Sequence, residues 1–217
     1  MELTEGQRHF RPEAVDPKTT AVISMEMQRG VVGDLSRIAV LVDAVKADRT
    51  VENLAALLKA ARAAGVTVIH CNAQFRADRR GSARNCPMLA AVTKTPDHIL
   101  EGTPSTQIVP ELGPAPDDLM MYRYHGVSPF SGTSLDITLR NLGVTTIIAT
   151  GVSINLGVFG LSLEAVNLGY RVILPRDCAT GFPADYADQV VRYSLGQLAT
   201  VTTSKDIMAA WAQAGAA

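Results

Sequence analysis

The sequence predicts an α/β fold, a Rossmann-like three-layer α/β/α sandwich around a six-stranded parallel sheet. Short runs rich in β-branched residues alternate along the chain with longer amphipathic runs rich in Ala and Leu. Glycine directly follows several of the longer runs, as is usual where a helix ends. Strands that alternate with helices form βαβ units, and their right-handed crossovers cover both faces of a parallel sheet.

The first half of the chain supplies two strands, one helix and a long irregular stretch. The apolar run at 20–27 predicts a buried strand, and 66–71 predicts a second one. Residues 51–64 repeat Leu and Ala with helical spacing, and Gly65 ends this helix. Residues 72–116 are rich in Gly and Pro. A loop of that length is usually functional or a lid, although it can also wrap an edge of the sheet.

The second half continues the alternation of strands and helices. Gly143 and Gly169 end the first two of its helices. Strands are predicted at 118–124, 144–150, 170–174 and 199–203, and helices at 134–142, 155–168, 184–198 and 205–213.

Composition limits the class of protein. The 217 residues predict one domain over 1–217, with a polar N-terminal extension at 1–18 that resembles no targeting signal. Lys and Arg number 20 and Asp and Glu number 21, so the net charge of −1 argues against nucleic acid or an anionic membrane as partner. Cys71, Cys86 and Cys178 are widely spaced and suggest no disulfide framework, so a reducing cytoplasm is expected.

Ligands of parallel sheets bind beyond the carboxyl ends of the strands. Glu26 lies at such an end, and strand alternation places Ser24, Glu26 and Gln28 on one side. A carboxylic acid in that buried position suits a general acid. The alternative is a glutamate that reaches solvent or pairs with an arginine.

The run GVSINLG at 151–157 leads from a strand into a helix. Free backbone N–H groups of a first helical turn, with Ser153 and Asn155 nearby, suit an oxyanion or a carboxylate. Gly157 falls in that first turn, where glycine is costly. The alternative explanation for the glycine is close packing of the helix on the sheet.

The run YRYHGVSPFSGT at 122–133 joins a strand end to a helix start. Its polar and aromatic side chains are further candidates for substrate contacts: Tyr124, His125, Ser128 and Phe130. His125 could act as acid, base or hydrogen-bond donor, or it could be a surface or capping residue.

No metal or cofactor is expected. His70 ends the second strand, but no other His or carboxylate follows at the spacing of a metal site. The sequence contains no phosphate-binding loop, no dinucleotide fingerprint and no serine nucleophile elbow.

Taken in order, these motifs resemble the isochorismatase-like (cysteine hydrolase) superfamily from residue 20 to about residue 203. The resemblance rests on AVISMEMQRG, AGVTVIH, GVSPFSGTSLDITLRNLGVTTIIATGVSINLGV and AVNLGYRVILPRDCATG. It implies an active site of Asp, Lys and Cys, and a dimer or a tetramer. The Asp position matches Glu26, the Lys position matches Tyr124, and the Cys position matches Gly157, so all three members of the triad differ.

Without a thiol at 157, an amide hydrolase of the usual type lacks its nucleophile. Isochorismatases proper cleave a vinyl ether by protonation, and some resemble this chain in having Gly at that position. The sequence therefore predicts a Cys-independent hydrolase of a small molecule that cleaves a vinyl ether or a related bond, with Glu26 as general acid or base and Tyr124 as a neutral donor or an apolar wall. Two alternatives stay open: an inactive member that binds a ligand or partner, and an amidase with a displaced nucleophile. The substrate contacts expected are Gln28, His70, His125, Ser128, Phe130, Ser153 and Asn155, and the displaced nucleophile would be Cys71, Cys178 or Ser153.

Overall fold

A computed structural model describes residues 10–215 and contains one parallel β-sheet. The six predicted strands are present, and a two-residue strand pairs with the end of the fourth. All pairings are parallel. The strands are β1 Thr20–Met25, β2 Thr67–Ala73, β3 Leu119–Arg123, β4 Thr146–Val152, β5 Arg171–Pro175, β6 Ala179–Thr180 and β7 Thr200–Thr202.

Helices follow most strands, as predicted, and two additional helices are present. The helices are α1 Ala39–Ala47, α2 Thr50–Ala63, α3 Pro87–Lys94, α4 Leu135–Asn141, α5 Gly157–Asn167, α6 Ala184–Val190, α7 Gly196–Leu198 and α8 Ser204–Ala214. Neither α1 nor α3 was expected; α3 starts within the irregular stretch, with Pro87 at its first position. The helix predicted at 184–198 is divided into α6 and α7 by a π-helical turn at Val191–Leu195. Within residues 10–215, no helix is both long and apolar enough to cross a membrane.

The sheet is the middle of three layers, which confirms the predicted fold class. Side chains of α1, α2 and α8 pack on one face, and those of α4, α5 and α6 pack on the other. Part of the predicted N-terminal extension, residues 1–9, lies outside the described residues. Of the remainder, Val15 is buried, and its carbonyl oxygen accepts a hydrogen bond from Trp211 Nε1 at 2.8 Å. This segment is therefore anchored to α8.

The strand order β3-β2-β1-β4-β5-β7 places the reversal of winding between β1 and β4. Such a switch point opens a crevice at the carboxyl ends of the two strands. Gly151 makes their close approach possible, because its φ is +93° and a Cβ atom there would overlap the carbonyl oxygen of Met25. The crevice is therefore where a ligand site is expected.

Candidate active site

A cavity of about 290 Å³ lies at the carboxyl ends of β1, β3 and β4. Its size is near the lower limit for small-molecule sites, roughly 300 Å³. Apolar side chains form most of the wall. The polar side chains that line it are Glu26, His98, Arg123, His125 and Ser153.

Glu26 leaves the sheet just beyond β1. The strand ends at Met25, two residues earlier than predicted, and Glu26 adopts a left-handed conformation with φ +52°. Its N–H donates to the carbonyl oxygen of Cys71 at 2.9 Å. A side chain other than glycine in this conformation is uncommon, and such residues often occur at functional sites. The turn directs the carboxylate into the cavity wall, where 20% of the side chain is exposed.

Arg123 is the cationic partner of this carboxylate. It is the last residue of β3, and its guanidinium donates from Nη2 to Glu26 Oε1. Its Nε donates to the carbonyl oxygen of Gly126 at 3.3 Å, and only 6% of its side chain is exposed. The alternative in which Glu26 pairs with an arginine is therefore the arrangement in the structure.

Tyr124 lies outside the cavity wall, contrary to the sequence prediction. Successive residues of an extended strand point to opposite sides, so Arg123 faces Glu26 and Tyr124 faces away. The Tyr124 hydroxyl donates to Glu101 at 2.6 Å and accepts from Gln74 Nε2 at 2.8 Å. The hydrogen bond to Glu101 raises the pKa of Tyr124. A search for cationic side chains near this strand end would have found Arg123, because it is the only Lys or Arg between 118 and 133.

Gly157 begins α5 and lines the cavity. A Cβ atom at this position would lie 2.8 Å from the carbonyl oxygen of Val152 and 3.2 Å from Cγ and Cε of Met25. The glycine is therefore explained by close packing. Within residues 10–215 its N–H has no hydrogen-bond acceptor, so this donor is free to bind a ligand. Ser153, which follows a cis peptide bond, also lines the cavity.

Two predicted substrate contacts are buried away from the cavity. The side-chain amide of Gln28 donates to the Ala73 carbonyl at 2.8 Å and accepts from the Ala73 N–H at 2.9 Å. His70 is fully buried, with Nδ1 2.6 Å from Ser24 Oγ and Nε2 3.2 Å from Asp118 Oδ2. Burial lowers the pKa of His70. Both side chains therefore connect parts of the scaffold rather than contacting a ligand.

Three further predicted contacts also lie outside the cavity wall. The Ser128 hydroxyl donates to Glu164 of α5. Phe130 stacks on Tyr170, with ring centroids 6.0 Å apart. The side-chain oxygen of Asn155 is buried and has no hydrogen-bond partner within the described residues. Of the predicted site residues, the cavity brings together Glu26, His125, Ser153 and Gly157.

The irregular stretch covers the cavity. It contributes seven residues to the wall: Ala73, Phe75, Met88, Leu89, Val92, His98 and Ile99. His98 was missed by sequence reasoning because it lies at no strand end and belongs to no motif. It is only 7% exposed, and within residues 10–215 its ring has no hydrogen-bond partner, so its nitrogens are available to a ligand. Burial, with help from the nearby charges of Arg79 and Arg37, lowers the pKa of His98.

The cysteines lie away from the cavity wall. Burial raises the pKa of Cys71 to about 12 and raises the pKa of Cys178 as well, so both thiols stay protonated at neutral pH. Cys86 is partly buried just before α3. Among the described residues, no three His, Cys, Asp or Glu side chains lie close enough together to hold a metal ion.

Curated proteins similar to this chain include amidohydrolases. Ureidoacrylate amidohydrolase RutB of Agrobacterium fabrum is 29% identical over 215 residues, which cover 88% of this chain and 91% of the relative. Maleamate amidohydrolase of Pseudomonas putida is 27% identical over 132 residues, which cover 59% of this chain and 58% of the relative.

Solved structures have the same fold. A cysteine hydrolase from Pseudomonas syringae pv. phaseolicola superposes with a TM-score of 0.77 and 25% identity, covering 93% of this chain and 96% of that one. N-carbamoylsarcosine amidase of Thermoplasma acidophilum superposes with a TM-score of 0.68 at 22% identity, covering 86% and 96%, and supports the fold alone. The isochorismatase domain model matches residues 20–206, and the chain therefore belongs to the isochorismatase family of hydrolases.

Proposed function

We propose that this protein hydrolyses a small molecule without a cysteine nucleophile, and that Glu26 transfers the proton. The observation that carries the proposal is the Glu26 carboxylate, paired with Arg123, in the wall of a covered cavity whose nucleophile position is Gly157. The amidohydrolase names of the relatives support a hydrolase.

The ion pair positions a general base. Arg123 holds the Glu26 carboxylate in the cavity wall through a direct contact, and a carboxylate fixed beside the substrate can act as a general base. In the proposed reaction, Glu26 accepts a proton from a water molecule as the water oxygen bonds to a carbonyl carbon of the substrate. The bond to the leaving group then breaks, and the leaving group takes the proton from Glu26. The free N–H of Gly157 would stabilise the oxyanion that forms between these steps.

This chemistry suits a carboxylic amide or ester. Both relatives are named for the hydrolysis of amide-type bonds, which need attack at a carbonyl carbon. Vinyl-ether cleavage instead needs Glu26 as a proton donor to a carbon atom, and neither of these relatives is named for that reaction. Ser153, within the cavity wall, and the exposed His125 are the polar groups proposed to contact the substrate.

An inactive, ligand-binding member of the family is the second candidate. The observation that favours it is the lack of space at Gly157. Because a Cβ atom there would be too close to its neighbours, the start of α5 has no room for a side-chain nucleophile. A displaced cysteine is the least supported alternative, because Cys71 and Cys178 are buried thiols outside the cavity wall. The amide-hydrolysis test must therefore distinguish activity through Glu26 from binding alone.

The test compares the parent with Glu26→Gln on a panel of esters, amides, imides and vinyl ethers. Loss of a general base is expected to lower kcat/KM by about 10²–10⁴-fold. Tyr124→Phe is the matched control, since its hydroxyl binds Glu101 outside the cavity wall, and it should retain the parent activity. No turnover of any class, or an active Glu26→Gln variant, would contradict the proposal. Inactivation by a thiol-alkylating reagent would favour the displaced cysteine.

A further inference from the structure

The wall of the cavity is dominated by hydrocarbon. Twelve of the nineteen lining residues are apolar, and they come from both sides of the site. The largest contributors include Leu41 of α1, Leu89 and Val92 of α3, and the rings of Phe75 and Phe182. A ligand that fills this cavity must therefore exchange water for apolar surface over most of its own area, which is favourable only for an apolar body.

The charges of the wall cancel. Glu26 and Arg123 neutralise each other in direct contact. His98 is buried and uncharged at neutral pH, because burial disfavours its protonated form. Arg79 lies behind the wall, where its guanidinium stacks over the Phe75 ring and donates to the carbonyl oxygens of Thr95 and His98. The buried part of the wall thus has no net charge to compensate an ionic ligand, and Nη1 of Arg123, which has no hydrogen-bond partner within the described residues, is left as a donor for a polar group of the substrate.

From these two observations we infer that the substrate is an uncharged molecule, an aliphatic or aromatic amide or ester with a single polar group. Its apolar body lies against α1, α3 and Phe182, and its carbonyl group lies near Glu26 and Gly157. His98 supplies a neutral hydrogen-bonding partner on the covering segment. A substrate with a second, anionic end would bury that charge against hydrocarbon such as that of Leu41, Leu89 and Val92, at a cost that only a cation or several hydrogen bonds at that end could offset.

The inference rests on the proposed function for the claim of turnover, but binding alone can test the substrate class. The two probes are 4-butylbenzamide and its analogue with a carboxylate at the end of the butyl chain. Calorimetric titration of the parent protein is expected to show at least about tenfold tighter binding of the uncharged amide. Chromatography of the same samples measures any hydrolysis separately.

Two methionines provide a matched pair of variants. Met88 on α3 lines the cavity and is 36% exposed, whereas Met120 on β3 is 37% exposed and does not line it. Both positions reach solvent, so each should accept lysine without loss of the fold. Met88→Lys is expected to remove most of the preference for the uncharged amide, and Met120→Lys is expected to preserve it.

The outcomes separate the two proposals. Tighter binding of the uncharged amide without product supports the substrate class and contradicts the hydrolase. Preferred hydrolysis of the carboxylated analogue supports the hydrolase and overturns the substrate class. Equal affinity for the two probes, no measurable binding of the uncharged amide at millimolar concentration, or the same effect from both lysine variants also overturns the substrate class.

Discussion

The position of Gly157 allows a stability prediction for the place where the family resemblance expects cysteine. In Gly157→Ala, the new Cβ atom would lie 2.8 Å from the carbonyl oxygen of Val152 and 3.2 Å from Met25. The Met25 side chain can shift, but the Val152 oxygen belongs to the backbone at the end of β4. Overpacking of this kind costs about 1–3 kcal/mol.

The gain from a less flexible unfolded chain opposes this cost. Replacing glycine by alanine contributes about 0.4–1 kcal/mol where the backbone conformation suits alanine. The net loss expected for Gly157→Ala is therefore about 1–2 kcal/mol of unfolding free energy. For a protein of this size, that loss lowers the melting temperature by about 2–8 °C.

Gly160, three residues along α5, is the matched control. A Cβ atom there would make only ordinary contact, 3.5 Å from Ser128 Cβ. Gly160→Ala should therefore raise the melting temperature, because alanine is favoured over glycine within a helix. Thermal unfolding followed by far-ultraviolet circular dichroism measures both variants. If Gly157→Ala is as stable as Gly160→Ala, the explanation of Gly157 by close packing is refuted.

Two further predictions concern charge. Arg123→Met leaves the Glu26 carboxylate without its partner and should cost about 3 kcal/mol in chemical denaturation. Arg76→Met, in the exposed pair with Asp78, should cost much less. Equal losses would contradict the assigned role of the buried pair. The lowered pKa values of His70 and His98 predict that the unfolding free energy falls as the pH drops below 6.5, because the unfolded chain then binds protons that the buried rings do not. Urea titrations at pH 7.5, 6.5 and 5.5, values chosen to bracket the ordinary histidine pKa of about 6.5, check this, and an unchanged free energy would refute it.

Local sequence patterns were sufficient for the sheet and for its six main strands. Apolar runs and the glycines that end helices are local signals, so 51–64 and 144–150 could be assigned without tertiary information. The helix α3 could not, since its eight residues lie in a stretch rich in Gly and Pro, and only Leu89 and Thr93 of them are buried. The dimer or tetramer that the resemblance implies stays a prediction.

The site was harder to predict than the fold, because side-chain direction at a strand end depends on a single residue. The left-handed turn at Glu26 separates it from Ser24 and Gln28, which strand alternation had grouped with it. In the same way, Arg123 and Tyr124 are neighbours at the end of β3, but their side chains point to opposite sides. A difference of one residue therefore decides which of the two lies in the cavity wall. The position of His98 in the cavity wall depends on contacts between the irregular stretch and residues far away in the sequence. No spacing of residues in the sequence predicts those contacts.

The position of the ion pair argues that this cavity serves a ligand. Breaking a buried pair is costly, but replacing both partners by apolar residues is often neutral or stabilising. Folding alone therefore gives no reason for Glu26 and Arg123 to face an otherwise apolar cavity. Nor does close packing account for the cover, which leaves about 290 Å³ beneath it and directs the unpartnered ring of His98 towards that space. The proposed binding and hydrolysis of an uncharged acyl compound would account together for the ion pair, the open volume and the unpartnered imidazole at one place.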